Sequence, residues 1–131
     1  GATVLPENEM PPPILRADGT MLPAGCPVPM EDFMKLTRIP IQMIWGDYIP
    51  TELDKTNTGP RLTLDSRRIN VVRAQLMAVA INRHGGDATN VMLPADLDIH
   101  GNTHFPMADL NNAQIADLLS EFLEEKGLDT R

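Results

Sequence analysis

The spacing of hydrophobic and polar positions changes several times along this chain, and each change marks an element. A short helical turn over Glu31 to Leu36 leads into Ile39-Pro40-Ile41-Gln42-Met43-Ile44-Trp45, apolar at nearly every position and closed by Gly46. Such a run predicts a strand buried on both faces, the kind found in parallel sheets covered by helices. A loop rich in turn residues follows from Asp47 to about Leu64. Ile69, Val72, Leu76 and Val79 then recur at spacings of three and four, which predicts an amphipathic helix running from an Asp65 N-cap to Arg83. Gly85 and Gly86 read as its C-terminal cap. Thr89 to Leu93 predicts a second short strand, ended by Pro94. Asn111 with Gln114 resembles a capping box, and it opens a helix with the stripe Ile115, Leu118, Leu119, Phe122 and Leu123, stopped by Gly127.

The first thirty residues break this regularity. Pro6, Pro11, Pro12, Pro13, Pro23, Pro27 and Pro29 fall there, so residues 1–30 read as an irregular arm, and residues 31–131 as a strand-helix-strand-helix part. The arm's apolar content, with Val4, Leu5, Met10 and Ile14 among others, favours draping over a surface. The element order predicts the α/β class, with a crossover unit of a parallel sheet flanked by helices. Two strands do not make a stable sheet, because a buried apolar strand left at an open edge presents unpaired backbone groups. The sheet is therefore expected to be completed by another chain or by a preceding segment.

Composition narrows the function classes. The 131 residues are 42% hydrophobic, enough for a modest core. Eleven Lys and Arg stand against 18 Asp and Glu, and the net charge of -7 opposes binding to nucleic acid or anionic membranes. No apolar run approaches the roughly 20 residues of a membrane span. Chemistry is sparse. The only serines are Ser66 and Ser120, neither in the Gly-x-Ser-x-Gly turn that exposes a nucleophile. Cys26 precedes Pro27, which has no N–H to help bind an oxyanion, and as the single cysteine it leaves only an interchain disulfide open. His84 belongs to the last turn of a helix, where imidazole favours the dipole. His100 and His104 are four apart, but Gly101 argues against the helix that a metal pair at this spacing needs, so no metal or other cofactor is expected. His104 follows the end of a predicted parallel strand, where ligands and catalytic groups of open α/β sheets collect.

The strand from Ile39 to Trp45 with Gly46 and Asp47, the next helix, the Leu93-Pro94 strand end, His104 and the last helix together resemble the C-terminal end of the α/β-hydrolase fold, over about Glu31 to Gly127. The run His100-Gly101-Asn102-Thr103-His104, with Met107, Asp109, Asn111 and Asn112 after it, resembles a small group of secreted microbial serine esterases of that fold. The resemblance implies that His104 is the triad histidine, the general base toward a serine hydroxyl and the acid toward the leaving alcohol. The serine would lie before Gly1, in keeping with the order serine, acid, histidine. In many hydrolases of the fold the acid stands three residues beyond the glycine after this strand. Ile49 holds that place here, which leaves nearby Asp47 as an alternative acid. In the narrower group the acid is a Glu one strand earlier, just before a glycine and a proline-rich segment like this arm.

The implied protein is a serine carboxylic-ester hydrolase acting on a small-molecule ester. This chain would be its C-terminal piece, produced by processing or truncation and inactive alone, paired as a heterodimer with the N-terminal polypeptide carrying serine and acid. Phe105 and Met107 flank His104 as candidate walls of the substrate pocket. The resemblance also implies a secreted or periplasmic setting. A reading from a different class stays open: a non-catalytic interaction module that binds a partner by strand addition through its arm and an exposed sheet edge.

Overall fold

A computed structural model of the protein describes residues 3–46, 49–50, 52–93, 97 and 112–128. The fold is mixed α/β. In chain order the elements are strands β1 (Val4–Pro6), β2 (Ile14–Leu15), β3 (Met21–Leu22) and β4 (Cys26–Val28), helix α1 (Met30–Phe33), a 3-10 turn (Met34–Arg38), and strand β5 (Pro40–Trp45). A second 3-10 turn (Gly59–Arg61) then leads to helix α2 (Leu62–Arg83), strand β6 (Asp87–Met92) and helix α3 (Asn112–Glu125). The strands pair in twos: β1 with β4, β2 with β3, and β5 with β6. By compactness the chain falls into two units, residues 1–41 with 49–89, and residues 42–48 with 90–131.

In the first unit, the arm is less irregular than its prolines suggest. Strands β1 and β4 run parallel, with Val4 opposite Cys26, Leu5 opposite Pro27 and Pro6 opposite Val28. Strands β2 and β3 form a short antiparallel hairpin. Proline is tolerated in such short edge strands when the amides around it carry the ladder. Here the Cys26 N–H donates to the Thr3 carbonyl and the Glu7 N–H to the Val28 carbonyl, both at 2.8 Å. Leu5, Phe33, Ile69 and Ile81 are almost fully buried, and each contributes about 1.5–3 kcal/mol by leaving water.

Helix α2 departs from the expectation in two ways. It begins at Leu62, after Gly59 at φ +59° and Pro60, whose fixed φ suits a helix entry. Asp65 is therefore inside the first turn, not at the N-cap, and its side chain caps nothing in its own helix. The buried face also differs. Ile69, Ala74, Ala78 and Ile81 are buried, whereas Val79 is 44% exposed. The buried face thus runs through alanines as well as through two isoleucines. The predicted glycine cap forms as a Schellman motif, with Gly85 N–H bonded to Asn82 O, Gly86 N–H to Ile81 O, and Gly85 at φ +87°. A Cβ on Gly86 would stand 2.4 Å from Ile81 Cγ2 and 3.0 Å from Thr37 Cα, so the turn has no room for a side chain. Just beyond, the Asn82 carboxamide accepts from the Ala88 N–H at 2.8 Å and donates to the Ala88 carbonyl at 2.9 Å, tying the helix end to the start of β6.

The second unit has a small core of Val91, Leu93 and Ile115, with Ile44 and Leu118 packed against it. Every residue of β5 is half-buried, so the expected burial on both faces is not reached in this two-stranded pairing. Of the predicted α3 stripe, Ile115 is buried at 1% exposure, while Leu119 and Leu123 are 37% and 38% exposed. A second Schellman-type ending closes α3, with Gly127 at φ +68° and the Leu128 N–H bonded to Leu123 O.

Candidate functional site

The side chains singled out for chemistry, His104 with Phe105 and Met107, and Asp47 as the alternative acid, lie outside the described residues. So do His100 and the run between it and His104. The strands that lead toward them are described. Strand β5 delivers the chain to Gly46, directly before Asp47, and β6 delivers it to Leu93, upstream of the histidine run. Within the second unit the Trp45 indole N–H donates to Asn90 Oδ1 at 2.5 Å. This bond joins the last residue of β5 to the middle of β6. A half-buried indole with its N–H satisfied is the ordinary arrangement for Trp in a core.

Among the described residues the fold brings several groups of polar side chains together, and three of them bear on the elements around the candidate residues. The first is buried. Asp65 is fully buried, and its Oδ1 accepts from Arg68 Nε at 2.7 Å while its Oδ2 accepts from the Ala17 N–H at 2.7 Å. Arg68 extends the network by donating to the Leu15 carbonyl at 2.8 Å. Burial pushes the Asp65 carboxyl upward, but the bonds from Arg68 and Ala17 outweigh it and hold the group below its ordinary value. The arrangement is a fastening between α2 and the arm, and both charges are used up in it. Arg73 adds a further bond to the arm, from Nε to the Pro23 carbonyl at 3.0 Å.

The second group surrounds Glu9. Its Oε2 is 2.9 Å from His84 Nε2 and 3.4 Å from an Arg83 nitrogen, and the His84 ring meets Phe33 edge to face at 6.0 Å. His84 thus combines the expected place at a helix C-terminus with a carboxylate partner 75 residues away in sequence, which no local signal announces. The third group is the turn after β5. Asp54 Oδ1 accepts from the Thr56 hydroxyl at 2.6 Å and from the Thr56 N–H at 2.9 Å, and these bonds hold its carboxyl below the ordinary value.

The other candidate nucleophiles are placed as follows. Ser66 is half-buried within α2, Ser120 is exposed on α3, and Cys26 is an exposed free thiol on β4. None stands beside a histidine among the hydrogen bonds of the described residues. Among those residues no group of three or more His, Cys, Asp and Glu side chains could hold a metal ion, and no helix is long and apolar enough to cross a membrane.

Among solved structures, the chain is similar to a novel bacterial esterase determined at atomic resolution, with 33% sequence identity and a TM-score of 0.57. The match covers 79% of this chain and 28% of the esterase, so the chain spans just over a quarter of that protein's length. No protein-family model matches the chain, and no curated protein matches it.

Proposed function

We propose that this chain works in carboxylic-ester hydrolysis, as the C-terminal part of a serine esterase of the α/β-hydrolase fold. The observation that carries the reading is the 33% identity to a bacterial esterase over 79% of the chain. His104 supplies the general base. It takes the proton from a serine hydroxyl as that oxygen attacks the ester carbonyl, then returns it to the departing alcohol. Water deacylates the enzyme with the same histidine as base. The 131 residues contain no Gly-x-Ser-x-Gly turn, so the serine, its oxyanion donors and the triad acid are assigned to polypeptide outside them. Phe105 and Met107, one and three residues after His104, wall the ester pocket. Asp47 is the alternative acid should none lie upstream.

The test uses the whole protein that carries this segment, assayed with short-chain p-nitrophenyl esters and a serine-reactive phosphonate. His104→Ala should lower kcat/KM by at least ~100-fold and abolish phosphonate labelling of a serine elsewhere in the protein. Unchanged turnover in His104→Ala, or no labelled serine in the wild type, overturns the reading. Asp47→Asn should leave the rate within a few-fold of wild type. A loss as large as that of His104→Ala would move the acid onto this chain.

A further inference from the structure

Helix α3 ends on apolar surface that its own unit leaves open. The ending is a complete Schellman motif, with the Gly127 N–H bonded to the Glu124 carbonyl at 3.0 Å and the Leu128 N–H to the Leu123 carbonyl at 2.8 Å. In this motif the residue after the glycine and the residue that accepts its N–H come to one side, where apolar side chains at the two positions meet. Those residues are Leu128 and Leu123, and they stay 53% and 38% exposed. Two leucines are thus held together at one end of the helix. Because the ending is already ordered, a partner that docks there loses little entropy in fixing it.

The charge on this end is one-sided. Helix α3 contains Asp117, Glu121, Glu124 and Glu125 and no Lys or Arg. Glu121, Glu124 and Glu125 are exposed, and the half-buried Lys126 follows them. Carboxylates in a last helical turn meet the negative end of the dipole, an unfavourable arrangement that a cation brought from outside relieves. A second copy docking through the same face would set these carboxylates against their counterparts, and the net charge of -7 adds to that repulsion. The chain spans just over a quarter of the similar esterase, so a larger protein of that kind has ample polypeptide of its own to cover the leucines. We infer that the end of α3, built from Leu123 and Leu128 with Glu121, Glu124 and Glu125, is a docking surface for a segment of that remaining polypeptide, one with an apolar side chain flanked by Lys or Arg. The apolar side chain covers the leucines, and its basic neighbours face the carboxylates and the last carbonyls of the helix. The inference rests on the assignment of this chain to a larger esterase and uses none of the residues assigned to the chemistry.

The test is hydroxyl-radical footprinting of the whole protein that carries this segment, read by mass spectrometry at single residues. Leu128 should be oxidised at least ~10-fold more slowly in the native protein than in urea, as burial of a leucine implies. Exposure of 53% alone would slow it only about 2-fold. Glu124 is exposed, so Glu124→Lys leaves the helix in place, and it should raise the native oxidation rate of Leu128 about 3-fold by weakening the docked state. Leu128→p-benzoylphenylalanine, irradiated in the whole protein, should cross-link to a peptide of the same molecule that lies outside these 131 residues and contains Lys or Arg. The inference is overturned if Leu128 is oxidised at the rate its own exposure sets, if Glu124→Lys leaves that rate unchanged, or if the cross-link joins a second copy. His104→Ala in the same protein reads the esterase assignment separately. Lost turnover there, together with a freely oxidised Leu128, overturns this inference alone.

Discussion

The arm and helix α3 are attached by opposite means. The arm offers little periodic apolar surface, and beside its buried Leu5, Pro6, Ala17 and Ala24 it receives polar side chains of α2 aimed at its backbone: Asp65 at the Ala17 amide, Arg68 at the Leu15 carbonyl and Arg73 at the Pro23 carbonyl. Helix α3 has a regular apolar stripe but commits only one residue of it fully, Ile115, to the core of its unit. An irregular segment can thus be fixed by a few buried side chains and directional bonds, of which the Asp65 bond to Ala17 is buried. A well-patterned helix can bury one residue of its stripe fully, with Leu118 packed beside it, among the described residues. Regular patterning and firmness of attachment are separate properties.

The sharpest way to break this contrast is Asp65→Ala. It leaves the Arg68 guanidinium buried without its carboxylate and the Ala17 amide without an acceptor, and should cost about 3–5 kcal/mol in urea unfolding. Proteolysis at Arg16 should accelerate in parallel if the arm is released first. The wild-type pair also carries a pH signature. The folded-state value of Asp65 is below the unfolded one, so the unfolded chain binds the proton first and stability from this group falls with acid. That contribution is complete above roughly pH 4, the unfolded range, and fades as pH drops toward the lowered folded value. Asp65→Asn should remove this acid-sensitive part of the stability curve. A variant curve parallel to wild type at every pH would show that Asp65 is not the fastening.

On the other side of the comparison, Ile115→Ala should cost about 2–5 kcal/mol, while Leu119→Ala, at a position 37% exposed, should cost under about 1 kcal/mol. Equal losses in thermal unfolding would mean that the α3 stripe is covered along its whole length. The smallest effect is expected from Glu9→Gln, which weakens a partly exposed pair with His84 and Arg83. Its loss should be about 0.2–1 kcal/mol and should shrink with added salt. A larger, salt-independent loss would place this contact with the buried fastening.

The elements that carry local signals were legible from the residues. The β5 run, the helix ended by Gly85, the second strand and the helix ended by Gly127 are all observed, because hydrophobic spacing and left-handed glycine caps act within a few residues. Asp65 was misread as an N-cap because its partner Ala17 is 48 residues away and because Gly59-Pro60 starts the helix a turn sooner. Of the expected α2 face Ile69 is buried, and the rest of the buried face is missed because it is made largely by alanines, weak in any hydrophobic count. The candidate catalytic residues His104, Phe105, Met107 and Asp47 rest on the sequence alone, because they lie outside the described residues.

The bonds that fasten the arm have a consequence for how its sequence can drift. Asp65, Arg68 and Arg73 all grip main-chain atoms, which every amino acid provides at Leu15 and Pro23 and every residue except proline provides at Ala17. The arm's path is therefore specified by letters written in α2, and most of the letters in the arm itself are free to change. In relatives that share this fastening, the arm should diverge in spelling while keeping its course. Position 17 should accept nearly anything small, and should refuse proline.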